Sequence, residues 1–294
     1  MRASPHPVLS RLGFDAGDRV AIVHADDVGL CQATLPAFAD LLDAGLVSSG
    51  SVMVPAPAFP AAVDFARAHP EADLGVHLTI TSEWPACRWG PLTTPDPRSG
   101  LLDGDGAFPA TSAELAGADP EAVGIEIEAQ VARAEAAGID VTHLDVHMLT
   151  LLSPRLLPLY RDLAARRRLP VPVLRPLPET LPPFPADGNG EALGLAGGPE
   201  EGLGICDLWV VLRLKQPEER IEQAKRLFKA LPPGLTHVSI HPAVDTPELR
   251  ALASDWRCRV ADYEAFVSAE LRRFVAGLGV RVVGYGALRG AASL

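Results

Sequence analysis

Val20-Ala-Ile-Val-His-Ala-Asp-Asp-Val-Gly29 is the stretch on which the reading of this 294-residue chain turns. Four apolar residues in five positions read as a buried strand, and His24, two adjacent acids and a glycine read as its polar, tightly turned end. Neighbouring side chains on extended backbone point in opposite directions. Asp26 and Asp27 therefore share a partner only if the chain bends, and Gly29 permits a bend. Taken alone, the acid pair reads equally well as the N-cap and first turn of a helix.

Outward from this strand the chain alternates. Ala33 to Leu42 has helical spacing, Leu46 to Val54 reads as strand, Phe59 to Ala68 as helix, and Asp73 to Leu78 as strand ending at His77. A helix over Pro120 to Ala137 leads into the strand Asp140-Val-Thr-His-Leu-Asp-Val-His147. Ser153-Pro154 opens a helix that ends near Arg168, and Val171 to Arg175 is extended. Strands are expected at Asp207 to Leu212, Leu235 to Ile240 and Arg281 to Val283. Helices are expected at Pro217 to Ala230, after Thr246-Pro247, and as one long element from Val260 to Leu278. About eight strands alternating with helices predict an α/β protein with a parallel sheet, closed as a barrel or left open. Residues 1–294 are read as a single domain with two excursions. The segment 82–109 is rich in Gly, Pro, Thr and Trp and is read as a substrate-facing loop, and 177–204 as a lid.

Composition narrows the function classes. A formal charge of −11, from 26 Lys plus Arg against 37 Asp plus Glu, disfavours nucleic acid as a partner. Arg166-Arg167-Arg168 closes a predicted helix, where cations suit the dipole. Four separated cysteines without a Cys-x-x-Cys suggest neither a zinc ribbon nor a disulfide framework, which fits a reducing, cytoplasmic setting. The first twenty residues lack the apolar stretch of a signal peptide. The uncharged run from Ala44 to Val63 is interrupted by Ser48, Ser49, Ser51, Pro55, Pro57 and Pro60, so no membrane span is expected. Helices with spare apolar faces permit a homodimer.

Five of the eight histidines, His24, His77, His143, His147 and His241, lie at or near predicted strand C-termini, whereas His6, His69 and His237 are read as structural. In a βα barrel those ends gather at one mouth, where such enzymes place their chemistry. A single histidine at a strand end is usually a hydrogen-bonded polar residue; the convergence is what argues for a site. His143, Asp145 and His147 fall on one side of their strand, where three polar groups are costly without partners. Two neutral imidazoles and a carboxylate are a common metal set, and Asp27, His77 and His147 supply it. One divalent cation is expected, zinc on ligand softness, with magnesium, manganese and iron also compatible. Asp26 is then the general base, His241 the acid across the mouth, Asp145 the group that orients an imidazole, and His143 a deeper structural or supporting hydrogen-bonder.

These pieces resemble the YdjC-like (ChbG/HpnK) carbohydrate deacetylases. The matching motifs are His24-Ala-Asp-Asp-Val-Gly29, Gly75-Val-His-Leu-Thr79, Thr142-His-Leu-Asp-Val-His147 and Ser239-Ile-His-Pro242, in the family's order. The resemblance implies a (βα) barrel, TIM-barrel-like and related to the glycoside hydrolase and deacetylase barrels. It also implies metal-dependent removal of acetyl groups from N-acetylated sugars or oligosaccharides. By the same resemblance Asp27, His77 and His147 are metal ligands, Asp26 the base and His241 the acid. Thr81-Ser-Glu-Trp84 with Arg88-Trp-Gly-Pro91 looks like one subgroup, which brings Trp84, Arg88 and Trp89 into consideration as substrate contacts, and Arg259-Val-Ala-Asp262 resembles a supporting element. The chain departs from the family at His24, where Asn is common, at Val28 in place of a frequent Phe, and at Met148-Leu-Thr150 where several members carry further histidines. Two rival readings are a metal-dependent phosphoesterase or sugar isomerase on the same barrel, and a metal-stabilised sugar-binding protein without turnover.

Overall fold

The computed structural model describes residues 7–174, 190–192 and 204–292. Its strands are β1 (Arg19–Val28), β2 (Ser49–Val52), β3 (Leu74–Leu78), β4 (Val141–Val146), β5 (Val171–Leu174), β6 (Gly190–Ala192), β7 (Gly204–Cys206), β8 (Leu208–Leu212), β9 (Gly234–Ile240) and β10 (Arg281–Val282). The helices are α1 (Pro7–Arg11), α2 (Thr34–Ala44), α3 (Phe59–Ala68), α4 (Pro120–Ala136), α5 (Leu157–Arg167), α6 (Arg220–Ala230), α7 (Pro247–Leu252), α8 (Trp256–Val267), α9 (Ala269–Gly277) and α10 (Tyr285–Ala292). The main sheet runs β4-β3-β2-β1-β9-β8-β6, with β10 added to β1 and β5-β7 forming a second, two-stranded sheet. Every pairing is parallel except β6 with β8. Single backbone hydrogen bonds tie the two sheets, from Leu144 N–H to the Pro170 carbonyl (3.1 Å) and from Asp207 N–H to the Leu235 carbonyl (2.8 Å). The architecture is thus α/β and barrel-like, with parallel strands inside and helices outside.

Helix-facing and interior positions separate by strand parity. Val23, Ala25, Val52, Val76, Leu144, Val238 and Ile240 are buried apolar residues, while the alternate positions are His24, Asp26, Ser49, Ser51, His77, His143, Asp145, His237 and Ser239, all buried as well. Register brings the second set to common levels: His24 pairs with Ser49 and Ser239, and His77 with Asp145. Strands buried on both faces normally read as continuous apolar runs. Here one face is polar, and most of its groups bond to one another, the Ser49 hydroxyl excepted.

Three expectations change. The long helix expected over Val260 to Leu278 is two helices, because Ser268 leaves helical geometry (ψ 133°) and its hydroxyl accepts the N–H of Leu271, capping α9. The helix announced by Ser153-Pro154 begins only at Leu157, and the strand expected over Leu46 to Val54 shortens to four residues. Most of the excursion at 177–204 lies outside the described residues; its 190–192 portion pairs with β8. No helix among the described residues is long and apolar enough to cross a membrane.

Gly75 on β3 leaves room for a neighbouring ring. A Cβ there would stand 2.6 Å from the imidazole of His143 and from its carbonyl oxygen. Gly75→Ala should therefore destabilise the protein by about 1–3 kcal/mol through overpacking, measured as a shift in the denaturant midpoint at unchanged slope.

Candidate active site

A β-bulge places the two acids. β1 pairs with β2 at Ala25↔Gly50 and again at Val28↔Val52, so Asp26 and Asp27 together face the single residue Ser51. Asp27 takes left-handed backbone geometry (φ 62°), with Gly29 at φ 84° completing the turn. Bulges re-aim side chains in this way. Both carboxylates consequently reach the same cavity.

Asp27 Oδ1, His77 Nε2 and His147 Nδ1 form a triangle with edges of 3.1–3.2 Å. Each member is held from behind. Nδ1 of His77 faces Asp145 Oδ1 at 2.9 Å and Ser51 Oγ at 3.2 Å, and Ser51 donates its hydroxyl to Asp145 Oδ2. Nε2 of His147 meets Glu83 Oε1 at 2.7 Å, and Arg259 donates to Asp27 Oδ2 at 2.7 Å while its other nitrogens engage Asp255. Carboxylates behind both imidazoles put the ring N–H of each neutral ring on its outer nitrogen, so that in the neutral state three lone-pair atoms point into one space.

The electrostatics follow from this crowding. Burial pushes the Asp27 carboxyl up, but Arg259 and the two imidazoles outweigh it and hold it well below the usual carboxylate range. Burial pushes both rings down, yet Asp145 lifts His77 well above its ordinary value, and Glu83 and Asp27 take His147 up to about 9. Burial likewise raises Asp145, and His77 and His24 bring it far below the ordinary range.

Asp26 is buried beside the triangle. Its Oδ1 bonds His24 Nδ1 (2.7 Å), and its Oδ2 lies 3.7 Å from His241 Nε2. The backbone N–H of His241 donates to Asp262 Oδ2, and Asp262 is paired with Arg220 at 3.0 Å, both fully buried. A cavity of about 600 Å³ opens over these groups, walled by Trp84, Trp209, Leu214, Leu252, Met148 and Leu149.

Every ligating and catalytic candidate from the sequence, Asp26, Asp27, His77, His147 and His241, lines this cavity. Asp145 and Arg259 touch them from behind. His143 is fully buried below the site, bonded to His24. Trp84 forms part of the wall, stacked over Arg259 at 5.4 Å. Arg88 and Trp89 stand outside the cavity wall: Arg88 clamps the loop through Asp103 and the Phe108 carbonyl, and Trp89 packs on Trp84 and donates to the Thr81 carbonyl. Glu83 was not singled out from the sequence as a contact of His147, although an acid six residues past His77, just beyond the strand, was a signal for it. Asp262 is the acid of the Arg259-Val-Ala-Asp262 element, whereas Ser51 carried no signal, since serines are common.

A family model described as YdjC-like protein matches residues 20–277. The chain belongs to the YdjC-like family. A carbohydrate deacetylase of Thermus thermophilus is 40% identical over 276 residues, covering 92% of this chain and 94% of that protein. A carbohydrate deacetylase of Brevibacillus brevis is 34% identical over 150 residues, 51% of this chain and 57% of the relative. A solved structure from Enterococcus faecalis V583, described as a cellobiose-phosphate cleavage protein, superposes with a TM-score of 0.74 at 21% identity, over 92% of this chain and 99% of that one. That likeness supports the barrel-like fold of this YdjC-like chain.

The raised imidazole of His147 gives a pH signature. An unfolded histidine titrates near 6.5. The protonated ring therefore stabilises the metal-free fold fully below about pH 6.5, and the contribution is lost as pH rises through about 9. Thermal unfolding of chelator-treated protein should show Tm falling across that window, and the fall should be smaller in His147→Asn, where the raised His77 remains.

Proposed function

We propose that this YdjC-like protein is a metal-dependent hydrolase that removes the acetyl group from an N-acetylated carbohydrate. The observation that carries the reading is the triangle. With both rings neutral, three acceptor atoms with their hydrogens on the far side repel one another unless a cation sits among them, and without a metal the rings take up protons in its place. Edges of 3.1–3.2 Å suit ligand atoms each about 2.0–2.1 Å from one ion. Asp27, His77 and His147 would hold it, and two imidazoles with one carboxylate match borderline divalent metals such as zinc. A bound divalent cation supplies Lewis acidity, polarising an amide carbonyl and making water easier to deprotonate.

The chain's own residues account for the proton movements. Asp26 presents Oδ2 to the cavity while His24 occupies Oδ1, so one oxygen accepts the proton of the attacking water. His241, 3.7 Å from that oxygen, protonates the departing sugar amine and is restored by the proton Asp26 has taken. Arg259 fixes Asp27 through Oδ2 and keeps it from turning toward the water. Trp84 offers an aromatic wall for a sugar ring. The phosphoesterase reading loses support because Arg259, the cation among the lining residues, is committed to Asp27 and Asp255.

Elemental analysis combined with acetate release from a panel of acetylated sugars tests this. Asp26→Asn should lower kcat by roughly 10²–10⁴-fold with metal content near that of the parent protein. Asp27→Asn should lose the metal. Metal loss from the Asp26 variant instead would mean that the two acids have exchanged roles, and sugar binding without acetate would favour a non-catalytic protein.

A further inference from the structure

Beneath Asp26 a line of polar side chains runs through the barrel interior, and the reaction described above does not use it. Asp26 Oδ1 bonds His24 Nδ1 (2.7 Å), and His24 Nε2 faces His143 Nε2 (2.7 Å). His143 Nδ1 then meets Thr142 Oγ1 (2.8 Å), and Thr142 Oγ1 meets Asp73 Oδ1 (2.5 Å). Both imidazoles are fully buried, while the Asp73 side chain is 14% exposed at the end of the barrel opposite the mouth. Other groups hold the line in place. Tyr285 stacks on His143 at 3.9 Å, Gly75 leaves the ring its space, and His237, bonded to Ser239 and Tyr285, lies 4.9 Å from the His24 ring. Asp145 Oδ2 is 3.8 Å from His24 Nδ1, and the Gly286 N–H donates to the second oxygen of Asp73.

Counting hydrogens shows what the line can do. Four links need four hydrogens, one each. Two neutral imidazoles and one hydroxyl bring three. The fourth is an additional proton, placed on Asp26, on Asp73 or as the second proton of an imidazole, and each placement preserves all four links. A buried array that merely filled space would be better replaced by apolar side chains, since every polar group in it must first be stripped of water.

We propose that His24, His143, Thr142 and Asp73 relay a proton between Asp26 and the end of the barrel opposite the mouth. The proposal rests on the deacetylase reading, in which Asp26 is the base. In one passage the Asp26 O–H breaks as His24 Nδ1–H forms, and His24 Nε2–H breaks as His143 Nε2–H forms. His143 Nδ1–H then breaks as a new Thr142 O–H forms, and the old Thr142 O–H breaks as Asp73 Oδ1–H forms. Asp26 ends ionised and Asp73 protonated, with nothing oxidised or reduced. A sugar filling the cavity cuts Asp26 off from bulk water: the proton of the attacking water goes on to His241, and the second proton, taken by Asp26 as the product acid ionises to acetate, leaves through the relay.

The test compares Thr142→Val, Thr142→Ser and Asp73→Asn with the parent protein. Thr142→Val removes two links, Thr142→Ser keeps both, and Asp73→Asn leaves Thr142 an acceptor that cannot take up a proton. Valine and asparagine should each lower kcat about tenfold with KM within about twofold, and serine should restore kcat. A plot of kcat against the deuterium fraction of the solvent should be bowed for the parent and straight for Thr142→Val. Imidazole ¹⁵N spectra of the resting parent should show averaged nitrogen shifts for His24 and His143, and those of Thr142→Val one fixed tautomer for each ring. Fixed tautomers in the parent, or kcat and isotope plots unchanged in both the valine and asparagine variants, would overturn the relay. Absence of acetate release from every sugar would overturn the deacetylase reading instead, and the ¹⁵N spectra would still decide whether the line shares a mobile proton.

Discussion

With both rings neutral, three lone-pair atoms held 3.1–3.2 Å apart in a nearly dry pocket form an arrangement that the surrounding structure must impose. Left free, two imidazoles and a carboxylate would turn a ring N–H toward an oxygen and remove the repulsion. They are prevented because each back face is already claimed: His77 by Ser51 and Asp145, His147 by Glu83, and Asp27 by Arg259. These supports come from β2, β4, α8 and the loop after β3, so the site is correctly formed only when the sheet and helices are in register.

The same constraint explains why one face of the strands is polar. Asp145, which faces His77 through Oδ1, takes the Ser51 hydroxyl on Oδ2, and Asp26 is fixed by His24, which bonds His143. Each buried polar atom calls for another partner until the line reaches Asp73, whose side chain touches solvent. Stability is supplied elsewhere, by the apolar layer between strands and helices, where Phe38, Phe228, Phe266, Leu41, Val23 and Tyr160 are buried. The division of labour is by strand parity, with odd and even positions serving different ends.

Most of this layout is legible in the sequence. Apolar periodicity marks strands and helices, and α3 agrees with its expected range. Histidines at successive strand ends locate the mouth. What local reading misses is long-range or conformational. The break at Ser268 is hidden because Val267-Ser-Ala-Glu-Leu271 is compatible with a continuing helix until the hydroxyl caps α9. The meeting of Asp26 and Asp27 at one cavity depends on a bulge, and the sequence shows only that Gly29 can help the chain turn; the left-handed residue is Asp27 itself. His237 reads as structural and does sit among hydrogen-bonded core groups. Its partners, Ser239 and Tyr285, lie two and forty-eight positions away, and only the fold brings the second of them near.

Backbone strain gathers where the chain leaves the sheet. Asp27 at φ 62°, and Met148 and Leu149 at φ 50° and 55°, are left-handed non-glycine residues, each costing on the order of 1–3 kcal/mol. All three line the cavity. Their positions follow from a shared requirement. A regular β1 would turn one of its two acids away from the mouth, and a regular continuation of β4 past Val146 would carry the chain straight on after His147 instead of folding it into the cavity wall. Of the five left-handed non-glycine residues among those described, these three are the ones whose side chains must leave the two-residue repeat, while Arg168 and Gln216 lie away from the cavity. Under the deacetylase reading, the cation that relieves repulsion in the triangle also offsets this strain, because its binding free energy is available only to the bulged, folded chain. Metal affinity and fold stability are then two expressions of one constraint on Asp27.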